Sequence, residues 1–279
     1  MGSSVREWQD YLNPDYPNTV AGSLRLLPII HSPQLDNVRS ILVHLPPSYH
    51  TDADRHYPVI YMHDGQNLFD QHLAFSDEWQ VDETLLQLAE EGLEAIVVGI
   101  PTNDERLHEY SPFVDENYGG GKGLAYLEFI SHTIKPIIDE DFRTQPQRST
   151  TGILGSSMGG LISLYGFLHS AQVFGFVGAF SPAIWFADKA LFAEFESLAQ
   201  LPEGKIYLDM GHQEVSEHPE ARQKSEQYTQ LVRQFRDSLV AKGYSEGDNL
   251  MYREDEAGTH KEQAWARRLP DALRFLINP

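Results

Sequence analysis

Short, nearly unbroken apolar runs alternate along this chain with longer stretches whose apolar residues recur every three to four positions. The first kind reads as buried strand and the second as amphipathic helix. "GSLRLLPII" and "RSILVHLPPSY" form an opening antiparallel pair, ended by Pro46 and Pro47. Strand "YPVIYMHDG", helix "VDETLLQLAEEG" and strand "EAIVVGIP" follow. "GLAYLEFISHTIKPIIDEDF" sets Leu124, Leu127, Ile130, Ile134, Ile137 and Ile138 at helical spacing, with Pro136 predicting a kink. Strands "STTGILG", "FGFVGAFSP", "KIYLDMG" and "NLMYRED" then alternate with helices "GGLISLYGFLHS", "ALFAEFESLA", "SEQYTQLVRQFRDSLVAKG" and "KEQAWARRLPDALRFLI". Buried strands between helices predict an α/β fold: a mostly parallel central sheet, antiparallel N-terminal strands, and helices on both faces. With no repeat and no linker, residues 1–279 read as a single domain, residues 1–20 being an N-terminal extension. "NDERLHEYSPFVDEN" and the glycines up to Gly123 read as one long loop over the C-terminal edge of the sheet, where open α/β sheets bind ligands.

One junction carries chemistry. "GSSMG", Gly155 to Gly159, fits G-x-S-x-G with Ser157 at its centre, between a predicted strand and a predicted helix. A nucleophile there sits in strained backbone, so its neighbours two positions away must lack side chains, and the following helix turns free N–H groups toward an oxyanion. A glycine-rich turn without chemistry is the plain alternative, and Ser156 reads as structural. Serine needs a base, in the chain order Ser, Asp or Glu, His. Glu214 follows the strand ending at Gly211, and His260 stands where the last helix begins, with Thr259 and Glu262 spaced as a capping box. Asp209, inside the strand, is the rival acid.

Composition narrows the partners. Forty-one acidic against 21 basic residues give a net charge of −20, which disfavours nucleic acid and anionic membranes. No cysteine is present, so disulfides, thiolate catalysis and thiolate metal sites are excluded. No run approaches the roughly 18 apolar residues of a membrane span, and the N-terminus has no apolar signal-peptide stretch, so a cytoplasmic location is expected. His212, Glu214 and His218 match no metal-ligand spacing, and no metal is expected. No dinucleotide or P-loop fingerprint occurs, so no cofactor is implied.

The order "VIYMHDGQNLFD", "NDERLHEYSPF", "GILGSSMGGLISLYG", "GAFSPAIWF", "YLDMGHQE", "GTHKEQAWARRL" resembles the esterase branch of the α/β-hydrolase superfamily. That branch includes esterase D, feruloyl esterases, siderophore trilactone esterases and mycobacterial mycolyltransferases. The resemblance spans roughly residues 20–278 and implies an α/β-hydrolase fold and hydrolysis of small-molecule carboxylic esters through an acyl-enzyme. It implies Ser157 as nucleophile, His260 as base and Glu214 as acid, with the backbone N–H groups of Gln66 and Met158 as oxyanion hole. Some trilactone esterases use Ser and His alone, which leaves Glu214 open to an auxiliary role. Loop position puts Asp64, Asn67, Arg106, Tyr110, Tyr118 and Trp185 forward as substrate contacts. An acyltransferase using the same acyl-enzyme is the second reading and a non-catalytic binding protein the third. Acyl specificity and oligomeric state are not written in the sequence.

Overall fold

The structure is a computed structural model that describes residues 6–11, 17–216 and 219–278. In chain order the strands are β1 (Gln9–Asp10), β2 (Ser23–Ser32), β3 (Asn37–Leu45), β4 (Val59–His63), β5 (Ile96–Ile100), β6 (Val114–Asp115), β7 (Gly119–Gly120), β8 (Thr151–Ser156), β9 (Phe176–Phe180), β10 (Lys205–Gln213) and β11 (Leu250–Thr259). The helices are α1 (Val81–Glu90), α2 (Arg106–Glu109), α3 (Gly123–Phe129), α4 (Lys135–Asp141), α5 (Met158–His169), α6 (Phe186–Ser197), α7 (Ala221–Ala241) and α8 (Glu262–Ile277). Nine strands form one sheet in the order β1-β2-β3-β5-β4-β8-β9-β10-β11. β1, β2, β3 and β5 pair antiparallel in turn, and every pair from β5 to β11 is parallel.

Side chains alternate across a strand, so each central strand feeds two cores. Along β4, Val59 and Tyr61 join the cluster that packs under α3, α5, α6 and α7, while Ile60 and Met62 join the one under α1 and α8. This double burial is why the central strands read as unbroken apolar runs. The strand ends of β4, β8, β9, β10 and β11 reach the same C-terminal edge, because parallel strands all point one way.

Several expectations change in detail. The stretch 123–142 is helical throughout but passes through a wide π-type turn at Ile130–Ile134 just before Pro136. That turn absorbs the hydrogen bond a proline cannot donate and the room its ring needs. Leu124, placed in the apolar stripe, is exposed, since the stripe only becomes continuous from Leu127 onward. The long loop before it contains α2 and the short β6–β7 pair. α6 begins with a left-handed turn at Ala187, Asp188 and Lys189, so its regular part coincides with the predicted "ALFAEFESLA". Within the first 20 residues, Gln9–Asp10 pairs with β2, and the Tyr11 hydroxyl donates to Asp70 Oδ2 at 2.7 Å. No helix among the described residues is long and apolar enough to cross a membrane.

At the sheet's far edge, Glu254 of β11 fastens α7. Arg233 donates to both its oxygens, at 2.7 and 2.6 Å, and His212 and Tyr252 add one bond each. These bonds, those from Arg233 foremost, hold the Glu254 carboxyl down at about 2, against an ordinary value of 4.5. A depressed carboxyl stabilises the fold above the unfolded value, and that contribution is lost as pH falls through the folded one. Glu254→Gln is therefore expected to cost about 1–2 kcal/mol near neutral pH, discounted for partial exposure. In urea melts taken across pH, the gap to the parent should close between about 4.5 and 2; a pH-independent gap contradicts the assignment.

Candidate active site

The G-x-S-x-G stretch folds as a sharp strand-to-helix elbow. Ser157 sits between β8 and α5 at φ 56, ψ −121, a region L-residues avoid. The strain persists because the backbone is held from three sides. Ser157 N donates to Phe180 O at 2.9 Å, and Ser157 O accepts from Ala183 N at 2.9 Å and Leu161 N at 3.0 Å. A Cβ on Gly155 would lie 2.7 Å from both Gly159 C and His63 Cδ2, so only glycine lets the chain fold back there. Ser156 is buried at the end of β8, as its structural reading requires. Met158 opens α5, leaving its N–H with no intrahelical acceptor. Across from it, Asp64 in left-handed backbone starts the tight turn Gly65–Asn67, and the Gln66 side chain is anchored by Thr102 N at 3.0 Å.

Glu214, just beyond β10, is buried with its two oxygens divided between tasks. Oε1 accepts from Gly211 N and from Ser181 Oγ, both at 2.7 Å, and Oε2 accepts from His260 Nδ1 at 2.5 Å. A carboxylate can only accept, so the ring hydrogen lies on Nδ1 and Nε2 is left as the acceptor. A side chain at Gly211 would collide with Gly258 O at 2.3 Å and Glu214 Oε1 at 2.5 Å. The β10–β11 register shifts at that point, which turns the chain toward the acid.

Asp209, the rival acid, is fully occupied elsewhere. It accepts from Ser181 N, from the Tyr207 hydroxyl and from Arg268 Nε and Nη2, at 2.8 to 3.1 Å. Burial pushes its carboxyl upward, against the pull of Arg268, whose two donors favour the ionised form. Ser181 joins the two acids. Its hydroxyl donates to Glu214 and accepts from Trp265 Nε1 and Arg268 Nη2, each at 3.1 Å, which uses its whole hydrogen-bonding capacity. Like Ser157 it has a positive φ, 41.

Ser157, Glu214 and His260 line one cavity of about 110 Å³, closed by Ser181, Pro182, Trp185, Met210 and Tyr228. A groove of about 1280 Å³ lies beside it along the start of α7 and holds none of these three.

A family model described as "Putative esterase" matches residues 32–276. The chain belongs to that esterase family. Membership makes it a carboxylic ester hydrolase. YbbA of Bacillus subtilis strain 168 is 28% identical over 244 residues, covering 85% of this chain and 92% of its own length. Among solved structures, an IroE-like serine hydrolase from Shewanella oneidensis superposes with a TM-score of 0.70 at 21% identity, over 89% of this chain and 78% of that one. The siderophore hydrolase EstA from Aspergillus nidulans superposes with a TM-score of 0.68 at 18% identity, over 91% and 95%. The shared architecture is the α/β-hydrolase fold.

The six residues expected to contact substrate in this esterase differ in their surroundings. Trp185 lines the cavity and stacks on Tyr228 with centroids 5.8 Å apart, and exposed Tyr118 meets Trp185 edge-on. Tyr110 is fully buried: its hydroxyl accepts from Asp64 N, and its ring packs on His63 and Tyr126. Asp64 and Arg106 form a two-pronged ion pair at 2.7 and 2.8 Å beneath the Gln66 turn, which commits both to holding that turn. Asn67 is buried, donating to Glu262 Oε1 at 3.0 Å and accepting from Phe75 N at 3.2 Å. The capping box at Thr259 and Glu262 is not formed. Thr259 ends β11, Lys261 occupies the cap position without a side-chain bond, and Glu262 is drawn across to Asn67 and Ser76. His212 is paired with Glu254, and His218 lies outside the described residues. Ser181, Tyr228 and Arg268 went unnoticed in the sequence. Ser181 stood at a predicted strand end, but a buried arginine in mid-helix gives no sequence sign of its partner.

Arg268→Met leaves the Asp209 charge buried without a cation and is expected to cost this esterase about 3–5 kcal/mol. Adding Asp209→Asn should restore part of that loss. Equilibrium urea unfolding of the single and double variants checks this; a strictly additive double variant contradicts it.

Proposed function

We propose that ester hydrolysis proceeds through an acyl-enzyme on Ser157, with His260 as general base and Glu214 as its orienting acid. The contact between His260 Nδ1 and Glu214 Oε2, in the cavity that Ser157 enters from its strained elbow, carries this reading. Ser157 Oγ attacks the ester carbonyl carbon while its proton passes to His260 Nε2. The developing oxyanion rests on the N–H groups of Gln66 and Met158, each such donor being worth roughly 3–4 kcal/mol in a transition state. Collapse expels the alcohol, which takes the proton from Nε2. Water then attacks the acyl carbon, with Nε2 accepting its proton, and the carboxylic acid leaves as Ser157 recovers its hydrogen.

The cavity is far smaller than the roughly 300–1,000 Å³ of pockets that enclose a drug-sized ligand. It suits a short acyl group, held against Trp185 and Tyr228, with the alcohol portion left outside near Tyr118. In a nitrophenyl ester series, kcat/KM should fall as the acyl chain lengthens; a rise toward long chains contradicts the assignment of this cavity.

Ser157→Ala is expected to lower kcat by about 10⁴-fold or more with the fold intact, and Ser156→Ala by much less. An organophosphonate should label the parent stoichiometrically on the Ser157 peptide by mass spectrometry. Near-parental turnover in Ser157→Ala rules out the nucleophile.

Glu214→Gln removes the carboxylate that orients the imidazole, and kcat should fall by about 10²-fold or more. Asp209→Asn should lower it much less, because Asp209 faces Arg268 and not the ring. The reverse pattern assigns the acid to Asp209; near-parental turnover in both variants means that Ser157 and His260 act as a pair.

A further inference from the structure

On the opposite flank of the Gln66 turn, the chain brings three acids together. One oxygen from each of Glu78, Asp82 and Glu83 lies within 4.8 Å of the others. Acids at the start of α1 have a plain explanation for Asp82 and Glu83, since a helix N-terminus favours negative charge. That explanation does not reach Glu78, which precedes the helix, nor does it account for a second observation. Asp82 is wholly buried and Glu78 is 6% exposed, yet Asp82 Oδ1, Glu78 Oε1 and Glu83 Oε2 are all buried and meet no N–H or O–H donor from another residue, Asp82 and Glu83 facing each other carboxylate to carboxylate. Buried carboxylate oxygens without donors are costly, and no lysine or arginine among the described residues pairs with any of the three.

The remaining oxygens of the two buried acids are already oriented. Asp82 Oδ2 accepts from Ala21 N at 2.6 Å, and Glu78 Oε2 accepts from Thr19 Oγ1 at 3.0 Å. Each carboxylate is thus fixed from one side by the segment that enters β2, leaving the other oxygen bare. Outer hydrogen bonds of this kind orient carboxylates that ligate metals. An all-oxygen, all-carboxylate donor set suits hard divalent cations, and oxygens on one calcium ion, at roughly 2.3–2.6 Å from it, lie at most about 5 Å apart.

We propose that Glu78, Asp82 and Glu83 form a structural site for a divalent cation of the calcium, magnesium or manganese class, which clamps residues 19–21 to the 67–83 segment. The cation supplies the positive charge that three converging carboxylates lack. It also stiffens the segment that begins at the Gln66 turn, since Trp79 N and Val81 N donate to Asn67 O and Leu68 O. Burial, the main cause, already pushes Glu78 up to about 7 and Asp82 upward as well, so protons are the competitor for the same oxygens.

The test uses the full chain dialysed against a chelator and titrated separately with CaCl₂, MgCl₂ and MnCl₂ to about 10 mM, a range that covers weak protein calcium sites. One of the three should bind 1:1 by calorimetry and raise Tm by about 5 °C at saturation. Glu83→Gln, whose carboxylate holds no other part of the fold in place, should weaken binding at least tenfold and abolish the Tm rise. Asp82→Asn should do the same where it folds. No binding by any of the three ions overturns the proposal. So does a Tm rise of equal size in Glu83→Gln and the parent, which places the ion elsewhere.

Discussion

The buried carboxylate of Glu214 constrains the C-terminal edge of the sheet more than any other group. An anion withdrawn from water needs donors on every side, and this one finds them in Gly211 N, Ser181 Oγ and His260 Nδ1. These come from β10, from the turn after β9 and from the end of β11, so one charge fixes the relative positions of three neighbouring strand ends. Gly211 follows from the same demand: the amide can approach Glu214 only where no Cβ intervenes. Ser181 must in turn be held with its hydroxyl pointing inward. The Asp209–Arg268 pair does this, gripping both the amide and the hydroxyl of Ser181 from the side of α8. A buried ion pair rarely adds net stability over apolar packing, so geometric definition of Ser181 is the better account of why this one is here.

Strain is distributed along the same edge. Asp64, Ser157 and Ser181 all have positive φ without being glycine, and each lies immediately after a parallel strand. Strand ends can hold such residues because the sheet fixes the chain on one side while loop hydrogen bonds fix it on the other. Ser157 illustrates the balance: its carbonyl accepts two amides and its own amide is taken by Phe180.

The architecture was legible in the sequence to the extent that burial on both faces leaves unbroken apolar runs. β4, β5, β8 and β9 are such runs, and the helices between them keep helical spacing. The serine elbow was legible because its glycines are a steric requirement, and the meeting of Glu214 with His260 because chain order places them after the last two strands. What could not be read depended on choices between partners far apart in sequence. Asp209 and Glu214 are equivalent on paper, and Arg268, 59 positions away from Asp209, is what separates them. Tyr110, Asp64 and Asn67 sit in loops near the site, but their polar groups are bonded around the Gln66 turn and do not line the cavity. The capping box had the right spacing and lost to a competing acceptor role for Glu262, which the local pattern does not contain.

That competition has a consequence for the site. A side-chain cap is typically worth about 1 kcal/mol to a helix, and α8 forgoes it. In exchange Glu262 reaches Asn67 at 3.0 Å, across 195 positions of sequence, and Ser76 at 3.3 Å. Asn67 is the residue after Gln66, and Glu262 stands two residues beyond His260. In the proposed mechanism the N–H of Gln66 and the ring of His260 act on one carbonyl group, and both must be held within a fraction of an ångström of their places. A hydrogen bond between residues one and two positions away from them links the two segments directly, whereas a cap on α8 would fix only the helix. The position of Glu262 is thus better explained by the distance it sets between two groups of the proposed mechanism than by the stability of the helix that carries it.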